Sequence, residues 1–158
     1  MRANGVKRLV RLKFYPRFFG FKEHFKNTAI IGIGGNLGDT KKRFDKFIRV
    51  LKNDRRFSVA ETSPVIENRA FGYTKQPDFL NAVINLQTSL SAVKLLKILQ
   101  HYEFRFGRKR SFKNAPRTLD LDILYFSKKV RKSEILNVPH LGVNERFSVI
   151  VPLGLMRF

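Results

Sequence analysis

The chain has 158 residues, with 32 Lys+Arg against 12 Asp+Glu and no cysteine. That length suits one domain burying roughly 70% of its unfolded surface; the missing cysteines exclude disulfides and thiolate metal sites, leaving oxygen ligands and three histidines, an inventory that fits hard cations such as Mg²⁺. A net charge of +20 predicts attraction to polyanions without choosing among nucleic acid, anionic lipid and nucleotide.

Apolar runs fall well short of the roughly 20 residues that span a bilayer. The basic N-terminus is interrupted by Arg11, Lys13 and Pro16 where a signal peptide needs an unbroken apolar stretch, so a cytoplasmic protein without a membrane span is expected. Residues 1–27 carry eight Lys/Arg, one acid (Glu23) and six aromatics (Phe14, Tyr15, Phe18, Phe19, Phe21, Phe25). Such a segment is compatible with a membrane surface or single-stranded nucleic acid. The preferred expectation is a loosely ordered or loosely docked extension, with residues 28–158 forming the single domain.

Ala29 to Gly34 is an apolar run suited to a buried strand. It enters Gly34-Gly-Asn-Leu-Gly-Asp39, where Leu37 spoils a dinucleotide-binding fingerprint and Asp39 spoils a phosphate-binding P-loop. Asp39 is a suitable N-cap for a helix whose inward positions are Phe44, Phe47, Ile48 and Leu51. Phe57 to Thr62 reads as a strand and residues 63–77 as a loop punctuated by Asn68, Gly72 and two prolines. From Phe79 to Gln87 the alternation predicts a strand with Leu80, Ala82, Ile84 and Leu86 on one face and Phe79, Asn81, Asn85 and Gln87 on the other. An aromatic two residues from an amide suits a flat heterocycle, the ring stacking and the amide reading its edge; an ordinary polar sheet face is the alternative. Ser91 to Phe106 has helical spacing, with Val93, Leu95, Leu96 and Leu99 inward.

The most informative stretch follows a basic segment holding Arg108, Lys109, Arg110, Lys113 and Arg117. Alternation from Thr118 to Tyr125 puts Leu119, Leu121 and Ile123 toward a core and Asp120 with Asp122 on the other face. Side chains two positions apart on one face lie roughly 7 Å from each other, close enough to share or flank metal ions. Acids beside a basic stretch suggest a cation meeting a polyphosphate. A bare Asp-x-Asp also occurs in glycosyltransferases, nucleases and solvated strands.

The run Pro116-Arg-Thr-Leu-Asp-Leu-Asp122 resembles the signature of the 6-hydroxymethyl-7,8-dihydropterin pyrophosphokinase family of folate biosynthesis. Further resemblances occur in order: Gly34-Gly-Asn-Leu-Gly-Asp39, with Gly35 where a serine is usual, Gln76-Pro-Asp-Phe-Leu-Asn81, Val138-Pro-His140, and Glu145 to Leu153. They span roughly Ala29 to Leu153, outside the N-terminal segment.

The resemblance implies an α+β fold, a ferredoxin-like βαββαβ sandwich with a mostly antiparallel sheet, helices on one face and long loops over the active-site face. It implies an ATP-dependent diphosphotransferase using two Mg²⁺ ions bound by Asp120 and Asp122, with Arg108, Arg110 and Arg117 acting on the triphosphate. ATP-binding positions carried over are Gln100, Glu103, Arg108, Arg117, His140 and Arg146; pterin-binding positions are Asn68, Phe71, Phe79, Asn81 and Phe147. Ser148 stands where the family has the aromatic that closes the pterin sandwich, with Phe147 beside it. The implied partners are ATP and hydroxymethyldihydropterin, with no nucleic acid and a monomeric state. An RNA-binding module would account for the charge, but its aromatic motif is missing. A metal-dependent nuclease usually needs a third acidic or His ligand.

Overall fold

The computed structural model describes residues 5–70, 72–143 and 145–157. In chain order these form β1 (Val6–Val10), β2 (Arg17–Phe18), β3 (Asn27–Gly35), α1 (Thr40–Lys52), β4 (Phe57–Thr62), β5 (Val65–Asn68), β6 (Phe79–Thr88), α2 (Ala92–Arg105), β7 (Asp120–Phe126), a small hairpin of β8 (Arg131–Lys132) and β9 (Asn137–Val138), and α3 (Phe147–Gly154). Strands β1 to β7 make one sheet in which every pairing is antiparallel. β3 lies between β6 and β7, while β4 and β5 share the other edge of β6.

The helices form where apolar spacing and caps coincide. Asp39 accepts the Lys42 N–H at 3.1 Å to start α1, and Ser91 accepts the Lys94 N–H at 3.3 Å to start α2. Phe44, Phe47, Ile48 and Leu51 of α1, with Leu95, Leu99 and Tyr102 of α2, pack on the face of the sheet that presents Ile31, Ile33, Ala82, Ile84 and Leu86. Full burial of a large apolar side chain contributes about 1.5–3 kcal/mol, so this layer dominates the stabilising side of folding.

α3 covers part of the opposite face, its Val149 and Leu153 packing on Ile30, Val83 and Leu124. The helices therefore do not all share one face: α1 and α2 do, and the C-terminal helix takes the other. That face is polar toward one end, where Gln87 accepts from the Lys22 N–H and donates to the Lys22 carbonyl, both at 2.8 Å.

Residues 5–27, expected as a loosely ordered extension, are instead built into the sheet. β1 pairs with β5 and β2 with β4. Tyr15 is fully buried against Phe44 and donates its hydroxyl proton to the Phe44 carbonyl at 3.2 Å; Phe14 is also buried, and its N–H donates to Asp45 at 3.0 Å. The aromatics supply enough apolar surface to offset the entropy of ordering the segment. A second correction concerns 63–77. Val65 to Asn68 is not loop but strand, because Ser63 bends the chain without breaking its ties to β6: Ser63 Oγ accepts the Val83 N–H at 2.8 Å and the Ser63 N–H donates to the Val83 carbonyl at 2.9 Å.

Leu119, just before β7, and Leu121 and Ile123 within it face the α1/α2 core as expected. The alternation then shifts: Ile30 pairs with Tyr125 and Ile31 with Ile123, leaving Leu124 unpaired as a bulge, and Phe126 turns into the core.

Candidate active site

The registers of β6, β3 and β7 assemble one row across three strands. Gly34 pairs with Asn81 on one side and Asp120 on the other; one step along, Gly32 pairs with Val83 and Asp122. Directly opposed residues project to the same face, so Asn81 and Asp120 flank a position with no side chain. A Cβ on Gly34 would stand 2.6 Å from Asn81 Oδ1. The glycine thus opens a floor between an amide and a carboxylate, and a cavity of about 280 Å³ lies over it.

Phe79, Asn81, Asn68, Arg117 and Asp120 line this cavity from the sheet and the basic loop. Arg146, Phe147 and Ser148, at the start of α3, line it from the other side, so the aromatic and the serine both reach the space. Arg117 lies over the Phe79 ring at 5.5 Å from its centroid, and Asn81 Nδ2 donates to Asn68 Oδ1 at 2.7 Å. Phe71, the remaining expected pterin contact, lies outside the described residues.

The charged groups form a chain. Asp120 is held on both oxygens, Oδ1 by Arg108 Nη1 at 2.7 Å and Oδ2 by Arg117 Nη1 at 3.1 Å. Arg108 also pairs with Glu103, which is 4% exposed and accepts the Leu121 N–H at 3.1 Å. Burial pushes the Glu103 carboxyl above its ordinary range, opposed by the Arg108 charge. Glu103 thereby fixes the end of α2 to the start of β7. Asp122 lies one step along the same face from Asp120, opposite Gly32. Burial and then the neighbouring Asp120 charge raise its carboxyl above the usual value, the sign expected where two acids share a face.

His140 accepts the Gly142 N–H on Nδ1 at 3.1 Å, which leaves Nε2 as the protonated nitrogen of the neutral ring; Nε2 stands 4.0 Å from Asp122 Oδ1. Arg110 is exposed, its guanidinium 4.0 Å from Glu103 Oε1. Gln100, exposed on α2, does not reach the main cavity; it borders a separate shallow cleft with Glu103, Arg108 and Arg110. The expected residues thus fall into two neighbouring groups joined by the Glu103–Arg108–Asp120 chain.

Asp120 and Asp122 fit a hard cation. Among the described residues no group of three or more His, Cys, Asp or Glu is placed to hold a metal. Two carboxylates are the usual protein share for Mg²⁺, which draws its other ligands from phosphate oxygens and water. The same count leaves a nuclease without its third ligand.

Asn36 has a positioning role that its place in the glycine-rich turn did not reveal. Its Nδ2 donates to Gln76 Oε1 and to the Pro77 carbonyl, both at 2.9 Å, and its Oδ1 accepts the Arg117 N–H at 2.9 Å. Gln76 in turn donates to the Asn114 carbonyl at 2.8 Å. One buried amide therefore ties the turn after β3, the loop before β6 and the basic loop before β7. The signal in sequence was an asparagine among glycines, but its partners lie 40 or more positions away.

The fold is that of an α+β protein whose antiparallel sheet carries a cavity, paired carboxylates and clustered arginines on one face. The family model for 7,8-dihydro-6-hydroxymethylpterin-pyrophosphokinase matches residues 30–157. The chain is 51% identical over 156 residues to a 2-amino-4-hydroxy-6-hydroxymethyldihydropteridine pyrophosphokinase of Campylobacter jejuni, covering 99% of both chains. Its identity to proteins of the same name is 39% over 154 residues in Helicobacter pylori, covering 96% of this chain and 94% of that one, and 36% over 128 residues in Bacillus subtilis, covering 81% and 77%. The chain belongs to the 7,8-dihydro-6-hydroxymethylpterin pyrophosphokinase family.

Proposed function

We propose that this protein transfers the β,γ-pyrophosphoryl group of ATP to the hydroxymethyl group of 6-hydroxymethyl-7,8-dihydropterin, giving the pterin diphosphate and AMP, as a cytoplasmic monomer. The observation that carries this reading is the row Asn81–Gly34–Asp120, in which an amide able to read a heterocycle edge stands beside a cation-binding acid on one floor. Its scaffold order, β3-α1-β4-β6-α2-β7, agrees with a ferredoxin-like βαββαβ core to which β1, β2 and β5 are additions.

The pterin stacks on Phe79, with Phe147 toward its other side, and its polar edge meets Asn81 and Asn68. Asp120 and Asp122 would hold two Mg²⁺ ions, which would supply neutralisation of the triphosphate and acidification of the attacking hydroxyl. Arg108 and Arg117 exchange Asp120 for phosphate oxygens as nucleotide enters, and Arg110 closes from solvent. His140 Nε2–H and Arg146 donate to further phosphate oxygens, while Gln100 and Glu103 border the nucleotide near the end of α2. The pterin hydroxyl oxygen bonds to the β-phosphorus, the bond from that phosphorus to the α,β-bridging oxygen breaks with its electrons going to AMP, and the hydroxyl proton passes to water. Arginines preset around the leaving phosphate stabilise the charge that develops there, and closure of the basic loop keeps out bulk water that would otherwise hydrolyse ATP.

Incubation with ATP, Mg²⁺ and hydroxymethyldihydropterin tests this. AMP formed only when pterin is present is expected; unchanged ATP under those conditions overturns the proposal.

A further inference from the structure

Apart from the Gly34 floor, the proposed reaction uses side chains from Asn68 onward, yet the cavity over Gly34 is also lined by Gly5 and Val6. These residues precede the span matched by the family model, which begins at residue 30. The similarity to the Campylobacter jejuni relative covers 99% of this chain and so takes in β1.

Register places Val6 in the site. Val6 pairs with Asn68, and Asn68 pairs with Phe79, so the three occupy one row on the cavity face of the sheet. Pairing continues beyond the strand, where the Arg69 N–H donates to the Gly5 carbonyl at 2.8 Å. At the far end of the same loop, Lys7 forms an ion pair with Asp78, the residue before β6. Both ends of the segment between β5 and β6 are therefore tied to β1. The same pairing holds Asn68, whose Oδ1 accepts from Asn81 Nδ2 at 2.7 Å and so fixes which way the Asn81 amide points.

Resting on the reading of the cavity as the pterin site, we propose that β1 is a wall of that site: Val6 contacts the bound heterocycle, and Lys7 and Gly5 position the loop and the Asn68–Asn81 amide pair that read its edge. Val6 is a specificity-determining residue and Lys7 a positioning residue.

The test uses the full-length chain with Val6→Gly, Lys7→Ala and Phe79→Ala, measuring KM for pterin and for ATP, kcat and thermal stability. Val6→Gly is expected to raise the pterin KM about tenfold and Lys7→Ala about threefold, each with the ATP KM unchanged. Phe79→Ala, two strands away in the same row, raises the pterin KM in parallel. If Val6→Gly and Lys7→Ala leave the pterin KM unchanged while Phe79→Ala raises it, the wall role of β1 is overturned and the site reading stands. Equal rises for ATP and pterin together with a lowered melting temperature show a purely structural strand and overturn the inference. A wild-type protein that fails to bind pterin overturns the site reading and this inference together.

Discussion

Arg108 and Asp120 form an ion pair at 2.7 Å, with Arg117 occupying the second oxygen of the same carboxylate at 3.1 Å. The acid expected to hold a cation is thus capped by the arginines expected to hold phosphate. Under the proposed function a cation would displace them, and a triphosphate arriving with it would offer them new partners.

Arg117→Ala removes one cap from Asp120 without stranding a buried acid. Binding of Mg²⁺ in the absence of nucleotide should tighten by about fivefold, while turnover falls by about a hundredfold because phosphate loses a donor. Calorimetric titration and AMP release measure the two; loss of metal affinity would contradict the competition.

Arg108→Ala behaves differently because Glu103 is buried beneath it. Leaving that acid unpaired should cost about 3–5 kcal/mol in denaturant unfolding, whereas the double variant Arg108→Met/Glu103→Leu should recover most of the loss. A single variant as stable as the parent would show that the pair does not hold α2 to β7.

Asp122→Asn should abolish most turnover yet stabilise the fold near neutral pH. The Asp122 carboxyl is raised by burial and by Asp120, so the folded state keeps this proton to higher pH than the unfolded chain. Its favourable contribution is complete below the unfolded value and is lost as pH rises through the folded one. The melting temperature of the variant should exceed that of the parent at pH 7 and converge with it in acid. Asp120→Ala should not share this gain, since it removes the acid that pairs with Arg117 and with the second side of Arg108.

Asp54 has the opposite sign. A fork of hydrogen bonds from Arg56, with a further one from Tyr102, lowers its carboxyl to about 2. The stability it contributes is present above the ordinary carboxylate value and lost as pH falls through the lowered one. Asp54→Asn should therefore be less stable than the parent at pH 6, and the gap should close toward pH 2.

Gly34→Ala places a methyl group 2.6 Å from Asn81 Oδ1. Pterin affinity should fall by at least about tenfold while binding of a non-hydrolysable ATP analogue persists. Fluorescence and calorimetric titrations separate the two, and equal loss of both would place Gly34 outside the pterin floor.

Local pattern was enough for the elements whose register is set by their own residues. Phe44, Phe47, Ile48 and Leu51 define a helix face wherever the helix docks, and Leu119, Leu121 and Ile123 define a strand face that leaves Asp120 and Asp122 on the other. Motif resemblance then named the chemistry, because Pro116 to Asp122 is contiguous in the chain. Cross-strand relations were beyond that reach. Nothing near Gly34 says that Asn81 and Asp120 are its neighbours; antiparallel pairing with β6 and β7 brings them there. Nothing near Val6 says that it lies beside Asn68, or that a basic, aromatic start to the chain becomes an edge strand rather than a loose tail. A side chain's face follows from periodicity, which neighbouring residues specify, whereas its partners across a sheet depend on where distant segments find buried area enough to offset the entropy of being ordered.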